Sequence, residues 1–269
     1  HVSLGSLRIR QDFLIAQALQ APYATNTPDD KFALEMALAR IRQLSAHEVG
    51  HTIGFAHNFA ASTNNRASVM DYPHPQFSLK NGKIDFSNAY ATGIGEWDKV
   101  TVAYAYQQFN KNEEQELQNI LTDAFSRGLR YLSDQDARSP GGAHSYAHLW
   151  DNGESAADEL NDILEIRKNA IERFSPDNIK SGQPYSVLED VFVPVYFMHR
   201  FQVEAVSKVI GGLDYNYAIK GGNQTIVKRI SGREERKAFK AILRTIDVET
   251  MAIPTSKLAL FPPRALGYE

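Results

Sequence analysis

Three of the chain's eight histidines fall inside one eleven-residue window, His47-Glu48-Val49-Gly50-His51-Thr52-Ile53-Gly54-Phe55-Ala56-His57. On a helix, residues four apart share a face one turn apart, so His47 and His51 can aim their imidazoles at one point. Glu48 sits one step round, where its carboxylate reaches a water on an ion held there without binding the ion itself. Gly54 can adopt the positive φ that ends a helix and turns the chain, which lets His57 swing back as a third ligand. Three neutral imidazoles leave a coordination position for water, the arrangement that catalytic zinc requires. Chance explains little of this. For a chain of this composition H-E-x-x-H is expected on the order of 10⁻² times, and with the later Gly and His on the order of 10⁻⁵ times.

Composition narrows the rest. The 269 residues include no cysteine, so disulfides, thiolate ligands and cysteine nucleophiles all drop out, and any metal must use His, Asp or Glu. A hydrophobic content of 43% beside 23% charged residues supplies a core and excludes a disordered chain. With 29 basic against 32 acidic side chains, net −3, no positive field draws in a nucleic-acid backbone or an anionic membrane surface. The longest apolar run, Val191 to Met198, is eight residues with Pro194 inside it, far below the ~20 that cross a bilayer. Opening on His1 without a basic-then-apolar leader, the chain reads as processed or cut from something longer.

Periodicity gives a mostly helical outline. Val2, Leu4, Leu7 and Ile9 alternate with a slip at Gly5, which predicts a bulged strand over residues 2–9. Leu34, Ala37, Leu38, Ile41 and Leu44 predict a helix capped by Asp29 or Asp30 and running to about Ile53. Residues 58–94 read as a long structured loop, of the kind that often carries function. Further helices are expected over 96–109, 113–132, 159–174, 187–210 with a break near Pro194, and 234–246. Pro140, Gly141, Gly142 and Asp151-Asn152-Gly153 mark 133–155 as a surface loop, and Gly221-Gly222 allows a hairpin over 215–230.

The window resembles the extended signature of the metzincin clan of zinc peptidases, H-E-x-x-H-x-x-G-x-x-H, matched at every fixed position by His47, Glu48, His51, Gly54 and His57. The clan's second mark is a tight turn with a methionine beneath the metal. Ser68-Val69-Met70-Asp71-Tyr72 puts Met70 thirteen residues after His57. The two runs together look most like the catalytic domain of large bacterial zinc-dependent peptidases, specifically over residues 45–73 and more weakly over 93–269. The resemblance implies Zn2+ as cofactor, a peptide or protein substrate, and export to the periplasm, cell surface or medium. It also implies an α+β, zincin-like (metzincin) fold, mostly helical over this stretch, with a small sheet. In some metzincins a tyrosine two places after the turn methionine helps hold the metal or the reacting oxyanion, and Tyr72 occupies that place.

Metzincin modules usually set several strands before the active-site helix, whereas 46 residues precede His47 here. Residues 2–9 are therefore read as the last, cleft-lining strand, with the remaining strands upstream. Residues 1–108 would form the zincin core and 109–269 a mainly helical C-terminal subdomain. Asn58, directly after the third histidine, matches none of the better-known subfamilies.

In the mechanism this implies, His47, His51 and His57 hold zinc, and Glu48 acts as general base and then acid. Tyr72 supports the oxyanion, and an extended peptide adds beside the 2–9 edge in endopeptidase fashion. The contrasting reading is a catalytically silent, metal-containing binding or scaffold protein. Intact Glu48 argues against it.

Blander roles compete at single residues. The histidines could form a structural site closed by a fourth ligand, Ser45-Ala46-His47-Glu48 fits a capping box, and Glu96 could be the third ligand as in the other large zincin group. Met70 packs rather than reacts in either reading, and Tyr72 could simply pack beside Pro73. His74 reads as a cleft-rim or surface residue. His144 and His148 lack the acid a second metal site needs. The basic residues from Lys228 to Lys240 read as a solvated face, Gly93-Ile94-Gly95 as the lead-in to the Trp97 helix, and Asn223-Gln224-Thr225 as a sequon without consequence.

Overall fold

A computed structural model describes residues 5–24, 31–139, 141–222 and 224–266. Helix α1 (Ser6–Gln20) replaces the expected first strand, of which residues 2–4 lie outside the described residues. The alternation up to Ile9 was too short to separate strand from helix. The pattern that decides is Asp12, Ile15, Ala16 and Leu19, all buried and spaced i, i+3, i+4, i+7, which makes one face of a helix packed on α2 and α7. Leu7 belongs to the first turn and is 81% exposed. No cleft-lining strand exists at residues 6–9, so substrate cannot add beside one there.

Helix α2 (Lys31–Thr52) has nearly the expected length, and its expected Asp cap lies outside the described residues. Its inward face overlaps the expected one only in part. Ala33, Met36, Ala37, Arg40, Gln43, His47 and Gly50 are buried, Ile41 and Leu44 are half-buried, and Leu34 and Leu38 are exposed. The rotation follows from two polar side chains with inward partners. Arg40 is 1% exposed, donates to Gln43 Oε1 at 2.5 Å, and faces the rings of Tyr90 and Trp150 at 5.4 and 5.8 Å. A buried guanidinium so placed offsets part of its desolvation through hydrogen bonding and ring quadrupoles.

Inside the expected long loop lies a hairpin, β1 (Ser78–Lys80) with β2 (Lys83–Asp85), paired Ser78↔Asp85 and Leu79↔Ile84. Asn81 and Gly82 both have positive φ, as a two-residue hairpin turn demands, so Asn-Gly was the readable signal. Helices α3 (Glu96–Tyr106) and α4 (Glu113–Ser126) follow and pack together around Trp97, Val100 and Ala124. After the short α5 (Asp134–Ala137) come α6 (Ala156–Arg173), α7 (Val187–Tyr196) and α8 (Arg200–Ser207). Pro194 lies inside α7, and the expected single helix is two. The chain ends through α9 (Gly232–Thr245), α10 (Val248–Met251) and α11 (Thr255–Leu258). Strands β3 (Leu213–Asp214) and β4 (Lys228–Arg229) pair antiparallel, so the hairpin expected over 215–230 pairs only at its ends. Among the described residues, then, helices dominate and two small antiparallel sheets accompany them. No described helix is long and apolar enough to cross a membrane.

The largest apolar cluster gathers α1, α2, α6 and α7, with Phe77, Ile84 and Tyr90 from the loop between α2 and α3. A second joins α6, α8 and α9 through Leu160, Leu164, Val206 and Ala238. The third is the one beside the histidines: Phe59, Ala60, Leu132, Ala137, Ala147 and Leu149, with Tyr72 against it. It corrects the expectation for 133–155. His144, Ala147, Asp151 and Asn152 there are buried, and the segment pairs its backbone with β3, Leu213 N–H donating to Ala143 O at 2.7 Å and Ser145 N–H to Leu213 O at 3.0 Å. Turn-forming residues mark where a chain bends, and here the bends lie against the core.

Candidate metal centre

His47 and His51 leave α2 one turn apart, and the helix stops just beyond them. Gly54, at φ +93°, reverses the chain, and Phe55 N–H donates back to Gly50 O at 3.0 Å. This returns His57 to the same point. The three rings lie within 5.2 Å of one another, centroid to centroid.

The hydrogen bonds settle which nitrogen faces inward. Nδ1 of His47 donates to Val69 O, Nδ1 of His51 to Phe55 O, and Nδ1 of His57 to Asp134 Oδ2, each at 2.8 Å. A carbonyl or carboxylate oxygen only accepts, so a neutral ring in each place carries its proton on Nδ1 and its lone pair on Nε2. One ligand nitrogen from each ring lies within 4.8 Å of the others, and Nε2 of His51 and His57 are 3.1 Å apart. Nε2 of His47 is buried without a hydrogen-bond partner. Three converging lone pairs repel one another unless a cation sits among them, so these residues fit a divalent metal of the zinc type. Burial, with the neighbouring His51 and His57 adding to it, pushes the His47 pKa down to about 4 and keeps that ring neutral at neutral pH.

The other expected site residues divide. Tyr72 comes to the histidines, its hydroxyl 3.3 Å from His57 Nε2 and its ring 4.4 Å from that of His47. Burial and the charge of Glu48 both raise the Tyr72 pKa, so the phenol keeps its proton. Glu48 is half-buried on the same end of α2, well inside a helix that begins at Lys31, which removes the capping-box role. Glu96 pairs with Lys99 and Arg127 at the start of α3 and is not among the gathered ligands. His74 is buried, not at a rim, and burial pushes its pKa down to about 3. His144 meets the Tyr215 carbonyl at 2.7 Å, and His148 lies 3.4 Å from Glu204. Among the described residues only His47, His51 and His57 gather closely enough to hold an ion.

Three residues beyond the histidine window give the site its rigidity. Gln43, one turn before His47, donates to the carbonyls of Val69 and Asp71 at 3.1 and 3.3 Å. Asp98 accepts from Ser68 Oγ at 2.6 Å, Val69 N–H at 2.8 Å and Gly95 N–H at 2.6 Å, so α3 clamps the turn that carries Met70. The Met70 thioether lies against Gly50, where an added Cβ would stand inside contact of the sulfur and 3.2 Å from Cε. The glycine in H-E-x-x-H is thus the socket for the methionine. The third is Asp134, held from the other side by Arg138. Burial opposes its ionisation, but the bonds from His57 and Arg138 outweigh burial and hold its pKa below the usual carboxylate range.

Behind the turn, Asp71 and Asp151 are both buried, and the Ser62 hydroxyl donates to Asp151 Oδ2 at 3.1 Å. Burial pushes Asp151 up to about 7 from an ordinary 3.8, and raises Asp71 as well, with the charge of Asp151 adding to it. A carboxyl with a raised folded pKa binds its proton more tightly folded than unfolded. Its stabilisation is complete below about pH 4 and is lost as pH rises through about 7. Asp151→Asn, which cannot ionise, is expected to lose this slope. With chelator present, its stability to urea should fall less between pH 5 and pH 8 than that of the parent, by on the order of 2–3 kcal/mol. Equal slopes for the two proteins would refute the assignment.

Comparison with curated proteins and with solved structures gave no match. A family model described as Met-zincin matches residues 29–265, a span that takes in the three histidines, the Met70 turn and Asp134. The chain belongs to the Met-zincin family.

Proposed function

We propose that this chain is a zinc-dependent peptidase, with His47, His51 and His57 as the ligands and Glu48 as the acid–base residue. The observation that carries the reading is the set of three Nε2 lone pairs turned to one point by acceptor-only partners on every Nδ1. Family membership agrees with it. When bound, zinc supplies Lewis acidity, acidifying water and polarising a carbonyl.

The protein's own groups do the rest. The Glu48 carboxylate takes the proton of the attacking water and passes it to the departing amine nitrogen. The Tyr72 phenol, kept protonated, donates a hydrogen bond to the carbonyl oxygen as charge grows there. Gln43 and Asp98 fix the turn that receives the His47 Nδ1 proton, so the ring does not rotate during turnover. His51, Glu48 and His57 are only half-buried, so a peptide can lie across them with both ends free, which is why we read the action as endopeptidase.

Elemental analysis of the purified chain and hydrolysis of a denatured protein substrate test the reading together. About one zinc per chain and cleavage that stops with chelator and returns with zinc are expected. A chain that holds zinc yet cleaves nothing would favour the silent scaffold instead, and one that holds no metal would overturn both.

A further inference from the structure

We infer that Asp134 is a positioning residue for the third histidine, setting the angle and basicity of His57 toward the ion. The inference rests on the ligand assignment proposed above and extends it to a segment 77 residues away. The three imidazoles are not held alike. His47 and His51 rise from α2, which sets where their side chains begin, and both rings bond to backbone carbonyls. His57 stands outside the helix, after a glycine with positive φ, and its Nδ1 bonds to a side chain. A ring on such a segment has the most rotational freedom to lose. It is also the one met by a carboxylate, the strongest acceptor available to an imidazole N–H.

The surroundings aim Asp134 at this task. Asn58, next to His57 and fully buried, donates through Nδ2 to Arg130 O at 2.8 Å and accepts from Leu132 N–H at 3.2 Å, while Phe59 N–H donates to Leu132 O at 2.8 Å. The strip after His57 is therefore laced to residues 130–132, in a register that brings Asp134 opposite the ring. From the far side, Asp136 accepts from the hydroxyls of both Tyr215 and Tyr217, pinning α5 to the chain beyond β3. Arg138 takes the remaining oxygen of Asp134, and the Ser133 hydroxyl donates at 3.3 Å to the same Oδ2 that His57 meets. This also explains why Asn58 follows the third histidine.

The test is zinc affinity, measured on the full chain by competition with a chromophoric chelator, beside the visible spectrum of the cobalt-loaded protein. Asp134→Ala is expected to weaken zinc binding by roughly 10- to 100-fold and to alter the cobalt bands. Asp134→Asn should fall between, because its amide oxygen still accepts but carries no charge, and Asp134→Glu should recover part of the loss. Arg138→Ala, which removes the second hold on the carboxylate but leaves the His57 bond, should weaken zinc binding less than Asp134→Ala does. Thermal unfolding of the metal-free variants tells a lost fold from a lost ligand shell. Should the alanine variant unfold, the near-isosteric asparagine variant decides.

Parent-like zinc affinity and cobalt spectrum in Asp134→Asn and in any folded Asp134→Ala would overturn the positioning role while leaving the peptidase reading intact. A loss in Arg138→Ala larger than that in a folded Asp134→Ala would also overturn it, by assigning the effect to α5 as a whole. A parent chain that binds no zinc would overturn both readings.

Discussion

Glu48→Gln is expected to keep zinc bound and to slow peptide hydrolysis by roughly 10²- to 10⁴-fold, the usual contribution of a positioned general base. The substitution preserves the shape of the side chain but removes its capacity to take a proton. None of the three Nδ1 bonds involves Glu48, so the ligand set should survive. The loss should fall on kcat more than on KM, because the proton moves only in the transition state. Metal content measured beside kcat and KM checks this. Turnover near that of the parent, with zinc present, would remove Glu48 from the reaction.

Gly95→Ala should be strongly damaging although it lies away from the histidines. An added Cβ would stand inside contact of the Ala67 carbonyl and 2.7 Å from Ser68 N, and all of those atoms are backbone. Neither side can move cheaply. Trp97 N–H donates to Ala67 O at 2.7 Å, and Asp98 ties α3 to Ser68 and Val69, so a displaced α3 would pull on the carbonyl that orients His47. At Gly50 the obstacle is the flexible Met70 side chain, which can yield. Overpacking against backbone at Gly95 is expected to cost more than about 3 kcal/mol, beyond the usual range for an extra methylene. Urea unfolding of the metal-free protein measures it. A loss under about 1 kcal/mol would show that α3 and the turn are not rigidly joined.

What the sequence made legible was local. His47, His51, Gly54 and His57 could be read because four-residue spacing and a terminating glycine are properties of one helix and its end. Met70 could be placed because a known turn follows at a fixed distance. The residues that were missed act across long separations. Gln43 looks like a surface glutamine until the Val69 and Asp71 carbonyls are known to face it, and Asp134 lies in a stretch whose glycines and prolines suggested exposure. The same limit explains the inward face of α2. Leu34 and Leu38 were the obvious apolar positions, but Arg40 and Gln43 had partners that only tertiary structure supplies. The first helix was misread for a simpler reason: four alternating residues cannot outweigh a helical repeat that begins just after them.

The bonds that finish the site span 77 residues from His57 to Asp134 and 81 more from Asp136 to Tyr217. Closing loops of that length costs entropy that must be met before the contacts can reward it, so such contacts form late in folding. During biosynthesis all three imidazoles emerge while the segment that meets the outermost one does not yet exist. A ribosome paused before residue 215 would hold a polypeptide that already has all three imidazoles but not the two tyrosines that anchor α5. The anchoring of α5 waits for residues 215–217 to arrive.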